Sequence, residues 1–135
     1  MKQHTCRTYF HIVGIFDVQA VSDKLHVTAD RVVRRGEPVA SGRRIAERDS
    51  IDIGFNDDYN VDVNEMLRVT LKDLKDKTAL LAELKKAYGL EYYLEIVPEI
   101  EQGSEEPQPI LSLDDDIIEF LYLTKTKHDL DYYVC

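Results

Sequence analysis

Apolar and polar residues alternate with two different periods along this chain, and the switches between them predict the order of its elements. Residues 8–16, TYFHIVGIF, carry β-branched and aromatic side chains on both alternating sets, Phe10/Ile12/Phe16 and Tyr9/Val13/Ile15. A strand apolar on both faces belongs in the middle of its sheet. Asp17 is placed to cap the next segment, where Val18, Val21 and Leu25 fall at helical spacing. Arg31–Val39 and Arg43–Phe55 predict two strands joined around Ala40, Ser41 and Gly42. In the second, Ile45, Ile51 and Ile53 share one parity while Arg44, Ala46, Arg48 and Asp52 share the other, the period of a half-buried strand. The run Gly36, Glu37, Pro38 interrupts the first and places it at an edge or a bulge.

The helical signal is strongest in the middle of the chain. Asp62 and Glu65 stand at the two ends of a capping box, with Val61 and Met66 placed for a hydrophobic staple. Behind it Leu67, Leu71, Leu74, Thr78, Leu81, Leu84 and Tyr88 recur every three or four residues, and Gly89 with Leu90 supplies a left-handed end. The stripe is long for one helix, and Asp76 could cap a second after a break near Lys75–Thr78. Glu91–Glu101 predicts a strand with Tyr92, Leu94 and Ile96 on one face and Tyr93, Glu95 and Val97 on the other, weakened by Pro98. Gln102–Pro109 is a loop, Asp114–Asp116 open a helix bearing Ile117, Ile118, Leu121 and Tyr122, and Asp129–Val134 predict a final strand.

Strand–helix–strand–strand–helix–strand is the order of an α+β, ferredoxin-like two-layer sandwich, with helices on one face of a mainly antiparallel sheet. A further helix and strand are appended at the C-terminus, and the sheet's second face is left open. At 135 residues the chain has the length of a single domain, 1–135.

Charge and cysteines narrow the chemistry. With 44% hydrophobic and 32% charged residues the composition is that of a soluble globular protein, and a net charge of −9 argues against nucleic acid or anionic lipid as partner. His11 interrupts the only apolar run near the N-terminus, and nowhere do about 18 apolar residues follow one another, so neither a signal peptide nor a membrane span is predicted. Cys6 and Cys135 lie at opposite ends, which suits two free thiols in a reducing, cytoplasmic setting; a bridge between them would need the terminal strands side by side. No P-loop or G-x-S-x-G is present, and His4, His11, His26 and His128 lack zinc spacing, so no cofactor and no metal is expected. The carboxylates of Asp114–Asp116 could attract a hard cation, but a helix's first turn favours them in any case.

The arginines are the least ordinary feature. Six of the eight lie between Arg31 and Arg48, a stretch of net charge +4, whereas residues 91–135 carry −10. The forks of Arg34, Arg35, Arg43 and Arg44 suit a phosphate, a carboxylate or an acidic partner; a charged edge hairpin also guards against aggregation. On the open sheet face Tyr9, His11, Tyr93 and Tyr133 are candidates for partner contacts. His11 with Glu95 or Asp131 on a neighbouring strand would form a general-base dyad, or His11 is simply a hydrogen-bonded sheet residue.

The order of segments in the second half, EYYLEIVPEIE, a loop, PILSLDDDIIEFLYLTKTK and HDLDYYV, resembles domain-of-unknown-function family 4279. In that family a helix introduced by an "sLs"-like segment leads to a terminal D-x-D-x-Y strand, where Asp129, Asp131 and Tyr133 stand here. FDVQAVSDKLHVTADRVVRRGEP is similar to the family's helix, turn and basic-Gly-acidic segment, matched by Arg35, Gly36 and Glu37, so the resemblance runs over residues 8–134. Members often carry a tryptophan in the second hairpin strand, where Ile51 or Ile53 stands in this chain. The resemblance implies the fold and supplies no activity or catalytic residues. The resulting expectation is a non-enzymatic, cytoplasmic protein-binding domain, one version being an immunity-type protein whose acidic surface meets a basic toxin. An open apolar sheet face would also favour a homodimer. The alternative is a small ligand-binding protein or enzyme that holds a phosphate or carboxylate with the arginine hairpin.

Overall fold

In the computed structural model, which describes residues 3–39 and 42–135, the chain begins with β1 (Thr5–Gly14), α1 (Val18–Leu25), β2 (Arg31–Val33), β3 (Pro38–Val39), β4 (Arg44–Ile45) and β5 (Asp49–Asn56). It continues through α2 (Val63–Leu71), α3 (Thr78–Tyr88), β6 (Glu91–Ile100), α4 (Asp115–Thr124), β7 (Lys127–Leu130) and β8 (Tyr133–Val134). The main sheet has the order β2-β5-β1-β6-β7, and β8 also pairs with β6. Neighbours from β2 to β6 are antiparallel, while β7 and β8 run parallel to β6. The result is a mixed α+β architecture on a mainly antiparallel sheet.

β1 is central, as its two apolar faces predict. Phe10 and Ile12 of β1, Ile51 and Ile53 of β5, and Tyr92, Leu94 and Ile96 of β6 are all buried on one side of the sheet. The helices cover that side with Val21, Leu25, Met66, Leu67, Leu81, Leu84 and Phe120, which join the same core cluster. Each large side chain buried there contributes roughly 1.5–3 kcal/mol. Tyr92 packs against Phe10 and spends its hydroxyl on the Leu81 carbonyl at 2.7 Å, so the ring is buried without an orphaned polar atom.

The helix ends follow the expected chemistry only in part. Asp17 caps α1 by accepting from Gln19 and Ala20 N–H, and Gly89 ends α3 at φ 67°. The long apolar stripe is two helices, α2 and α3. Leu74 stays fully buried in the turn between them, so the apolar spacing carries on across the break. Asp76 does not cap α3; Lys77 takes that position without a side-chain cap, and its ammonium instead donates to the Leu25 carbonyl. The capping box at α2 forms by halves. Asp62 accepts from Asn64 N–H at 3.1 Å, whereas Glu65 turns to Arg68 at 3.0 Å. Arg68 also bonds Asp114 and Asp116, which gives the aspartate triplet a cationic partner from the protein itself.

Two expectations about strands are corrected. The final strand Asp129–Val134 is β7 and β8, whereas β6 runs through Pro98 to Ile100, as the strand predicted over Glu91–Glu101 requires. Because β6 lies between β1 and β8, Cys6 and Cys135 are not neighbours; both are free, and burial pushes the Cys6 thiol up to about 11. The long Arg31–Val39/Arg43–Phe55 hairpin breaks into β2–β5, within the main sheet, and a separate β3–β4 pair; its joint at residues 40–41 lies outside the described residues. Gly36, at φ 87°, makes the turn that breaks it. Asp49 secures the break: its buried carboxylate accepts from Arg35 N–H at 2.8 Å and Phe16 N–H at 3.0 Å. Burial opposes its charge, but these two donors and the Arg35 guanidinium hold it below the usual carboxylate range. No helix among the described residues is long and apolar enough to cross a membrane.

Candidate functional site

The face of the sheet turned away from the helices mixes charged side chains with aromatic and aliphatic ones. Strand register places Arg31, Asp52, His11, Tyr93 and Lys127 in one row across β2, β5, β1, β6 and β7. Residues paired in register point to the same face, so this row alternates cation, anion, imidazole, phenol and cation.

His11 Nδ1–H donates to Asp52 Oδ1 at 2.6 Å. A carboxylate can only accept here, so the bond places the ring proton on Nδ1 and leaves Nε2 to accept a proton or meet a ligand. The sequence reading offered Glu95 or Asp131 as the partner; Asp52 takes the role because it faces His11 directly in the β1–β5 register. Tyr9 lies edge-on to His11 at 6.4 Å between centroids, and Tyr93 flanks the imidazole on the other strand at 6.3 Å.

A bulge adds a further ring. Thr8 pairs with Asn56 but Phe10 with Ile53, so β5 has one residue more than β1 across this step. Gly54 absorbs it at φ 70°. Strict alternation would send Phe55 to the core with Ile53; the bulge turns it to the open face, where it is 47% exposed and stacks on Tyr9 at 6.2 Å and 30°. Asp30 holds the Phe55 N–H at 2.9 Å.

Beside Tyr9, Glu95 of β6 lies opposite Asp129 of β7. Burial, a hydrogen bond shared with Asp129 and the charges of Asp129, Asp52 and Asp131 push its carboxyl up to about 8. Glu95 therefore holds a proton to higher pH than an ordinary carboxyl does. Tyr9 is raised as well, by burial and then by Glu95 and Asp52.

The β3–β4 hairpin roofs this face. Between roof and sheet lies a cleft of about 970 Å³ whose lining includes Tyr9, His11, Asp52, Arg31, Arg44 and Arg48. Arg48 closes one end through its pair with Glu91 at 2.9 Å. Arg31 and Arg44 form no ion pair among the described residues.

Of the residues singled out from sequence, Tyr9, His11, Tyr93 and Arg44 are brought together here. Arg35 is committed to Asp49, and Arg34 and Arg43 are exposed outside the cleft lining. Tyr133 pairs with the Glu99 position of β6, about 20 Å along the strand from Tyr93, and its hydroxyl donates to Asp131. Asp52, Arg31 and Phe55 were not foreseen. Asp52 was visible on the polar parity of its strand and Arg31 as one of the clustered arginines, but their meeting with His11 depends on register. Among the described residues no cluster of three or more His, Cys, Asp or Glu is placed to hold a metal ion.

No curated protein and no solved structure matches the chain. Residues 4–135 match a family described as a domain of unknown function, DUF4279. The sequence motifs that resembled this family were spread over almost the same span, and the chain belongs to it.

Proposed function

We propose that this chain is a small-ligand-binding domain whose roofed cleft holds a phosphate or carboxylate. The observation that carries the reading is the placement of Arg31 and Arg44 on a concave surface around His11. Guanidinium forks bind such anions bidentately. Arginines spread over a convex edge would have supported a partner, or no ligand at all. The same reading takes the sandwich as ferredoxin-like, supported by the antiparallel order β6-β1-β5-β2 around two strand–helix–strand connections.

Thermal unfolding with inorganic phosphate or citrate tests it. At a hundredfold excess over Kd a bound ligand adds about 2.7 kcal/mol, a rise of several degrees in Tm. The wild type should show that rise and Arg31→Ala/Arg44→Ala should not. An unchanged wild-type Tm with both anions would sink the proposal.

A second reading, a protein-binding domain of the immunity type, draws on another surface. Leu130, Tyr132, Tyr133 and Val134 are all exposed along the open β7–β8 side of the sheet, the kind of edge that accepts a partner strand. The acidic C-terminal third would favour a basic partner.

A further inference from the structure

The roofed cleft does not end at the sheet row it covers. A second depression of about 440 Å³ adjoins it, lined by Arg7, Tyr9, Asp30, Arg31, Asp52 and Phe55. Tyr9, Arg31 and Asp52 belong to both. The first carries Arg31, Arg44 and Arg48 alongside Glu47 and Asp52; the second is floored by a stacked Tyr9–Phe55 pair, with Asp30 and Asp52 as well as Arg7 and Arg31 at its rim. From this we infer that the ligand is a nucleoside monophosphate, its phosphate under the hairpin and its base laid on Phe55.

The inference rests on the anion-binding reading and extends it. An aromatic side chain exposed on an open sheet is a stacking platform for any base. Phe55, half exposed and backed by Tyr9, provides one next to a cationic cleft. Asp52 accepts from His11 through Oδ1 and Asp30 from Phe55 N–H through Oδ2, so each keeps a second carboxylate oxygen. Carboxylate acceptors at the rim suit a base with adjacent N–H donors, which guanine presents at its N1 and exocyclic amine. The same electrostatics limit the ligand to a single nucleotide. Past Tyr9 the face turns acidic, with Asp129 and Asp131 beside Glu95, whose carboxyl they help to keep protonated, and the chain carries −9 overall. A polynucleotide laid across the sheet would meet those carboxylates, whereas one phosphate can stay beside Arg31 and Arg44.

Calorimetric titration of the full chain with inorganic phosphate, GMP and a short single-stranded oligoribonucleotide tests this. GMP should bind roughly ten-fold or more tightly than phosphate, the increment expected of one stacked base. Phe55→Ala should reduce GMP affinity to that of phosphate while phosphate binding stays as in the wild type, and Phe55→Trp should keep the preference. Circular dichroism of each variant checks that the fold is intact. Equal affinity of the wild type for GMP and phosphate would overturn the base site and leave the anion cleft standing. No binding of either would overturn both. An oligonucleotide that binds more tightly than GMP would overturn the assignment to a mononucleotide.

Discussion

Gly54 carries more of this structure than its size suggests. Its φ of 70° lies in the left-handed region, and a Cβ built there would stand 2.1 Å from the Thr70 carbonyl oxygen of α2. The Thr70 hydroxyl in turn donates to the Gly54 carbonyl at 2.8 Å and meets Thr8 at 2.7 Å. The bulge, the seating of α2 and the outward turn of Phe55 thus share one residue. Gly54→Ala should destabilise the protein by about 3 kcal/mol or more, because both the backbone conformation and the helix would have to give. Urea unfolding measures this, and a loss below about 1 kcal/mol would show that α2 sits less tightly than described. From sequence, Gly54 was merely a glycine inside a strand pattern. Continued alternation past Ile53 would put Phe55 on the core side, and the extra residue reverses it without changing the composition of the strand.

At the scale of elements, the β6–β7 pairing sets two carboxyls face to face. Glu95 and Asp129 face one another in parallel register, and Glu95 is raised from an ordinary 4.5 to about 8. Between those values the folded chain keeps a proton that the unfolded chain has lost, so stability falls as pH rises through this window and its contribution levels off outside it. Glu95→Gln should remove that slope. Urea midpoints at pH 5 and pH 8.5 should differ less in the variant than in the wild type, and equal differences would contradict the pairing. The strong apolar patterns of β1, α1, β5 and β6 were legible in the sequence, because each sets a one-sided or two-sided burial that its own residues display; in α4, by contrast, Ile118 and Tyr122 are exposed and Phe120 is buried with Ile117 and Leu121. The break between α2 and α3 was visible as an interruption, but not its cap, since Lys77 supplies no side-chain signal. The broken hairpin was hidden for a different reason. Its cause, Asp49 reaching both Phe16 and Arg35, joins segments on either side of the turn. His11 and the tyrosines of β1 and β6 were legible as a shared face; the identity of the imidazole's partner was a matter of register, which alternation alone does not determine.

Over the whole molecule, the net charge of −9 hides a polarised surface. The arginine-rich segment roofs a face whose far side carries Glu95, Asp129 and Asp131. Arg31 and Arg44 are exposed, so their attraction for an anion is screened by salt. Phosphate affinity should fall several-fold as ionic strength rises from 0.1 to 1 M, where the Debye length contracts from about 10 to about 3 Å. Calorimetry in chloride salts at the two strengths would test this, and a constant affinity would point to a buried contact in place of these guanidiniums.

The hairpin that roofs the cleft has a consequence for how such a chain can change. None of the described residues between Arg34 and Arg48 belongs to the hydrophobic core cluster. The roof's length and charge are therefore open to substitution with little effect on the packing beneath it. Selection or design could exchange one roof for another, altering what the cleft admits while the sheet and helices keep folding as before.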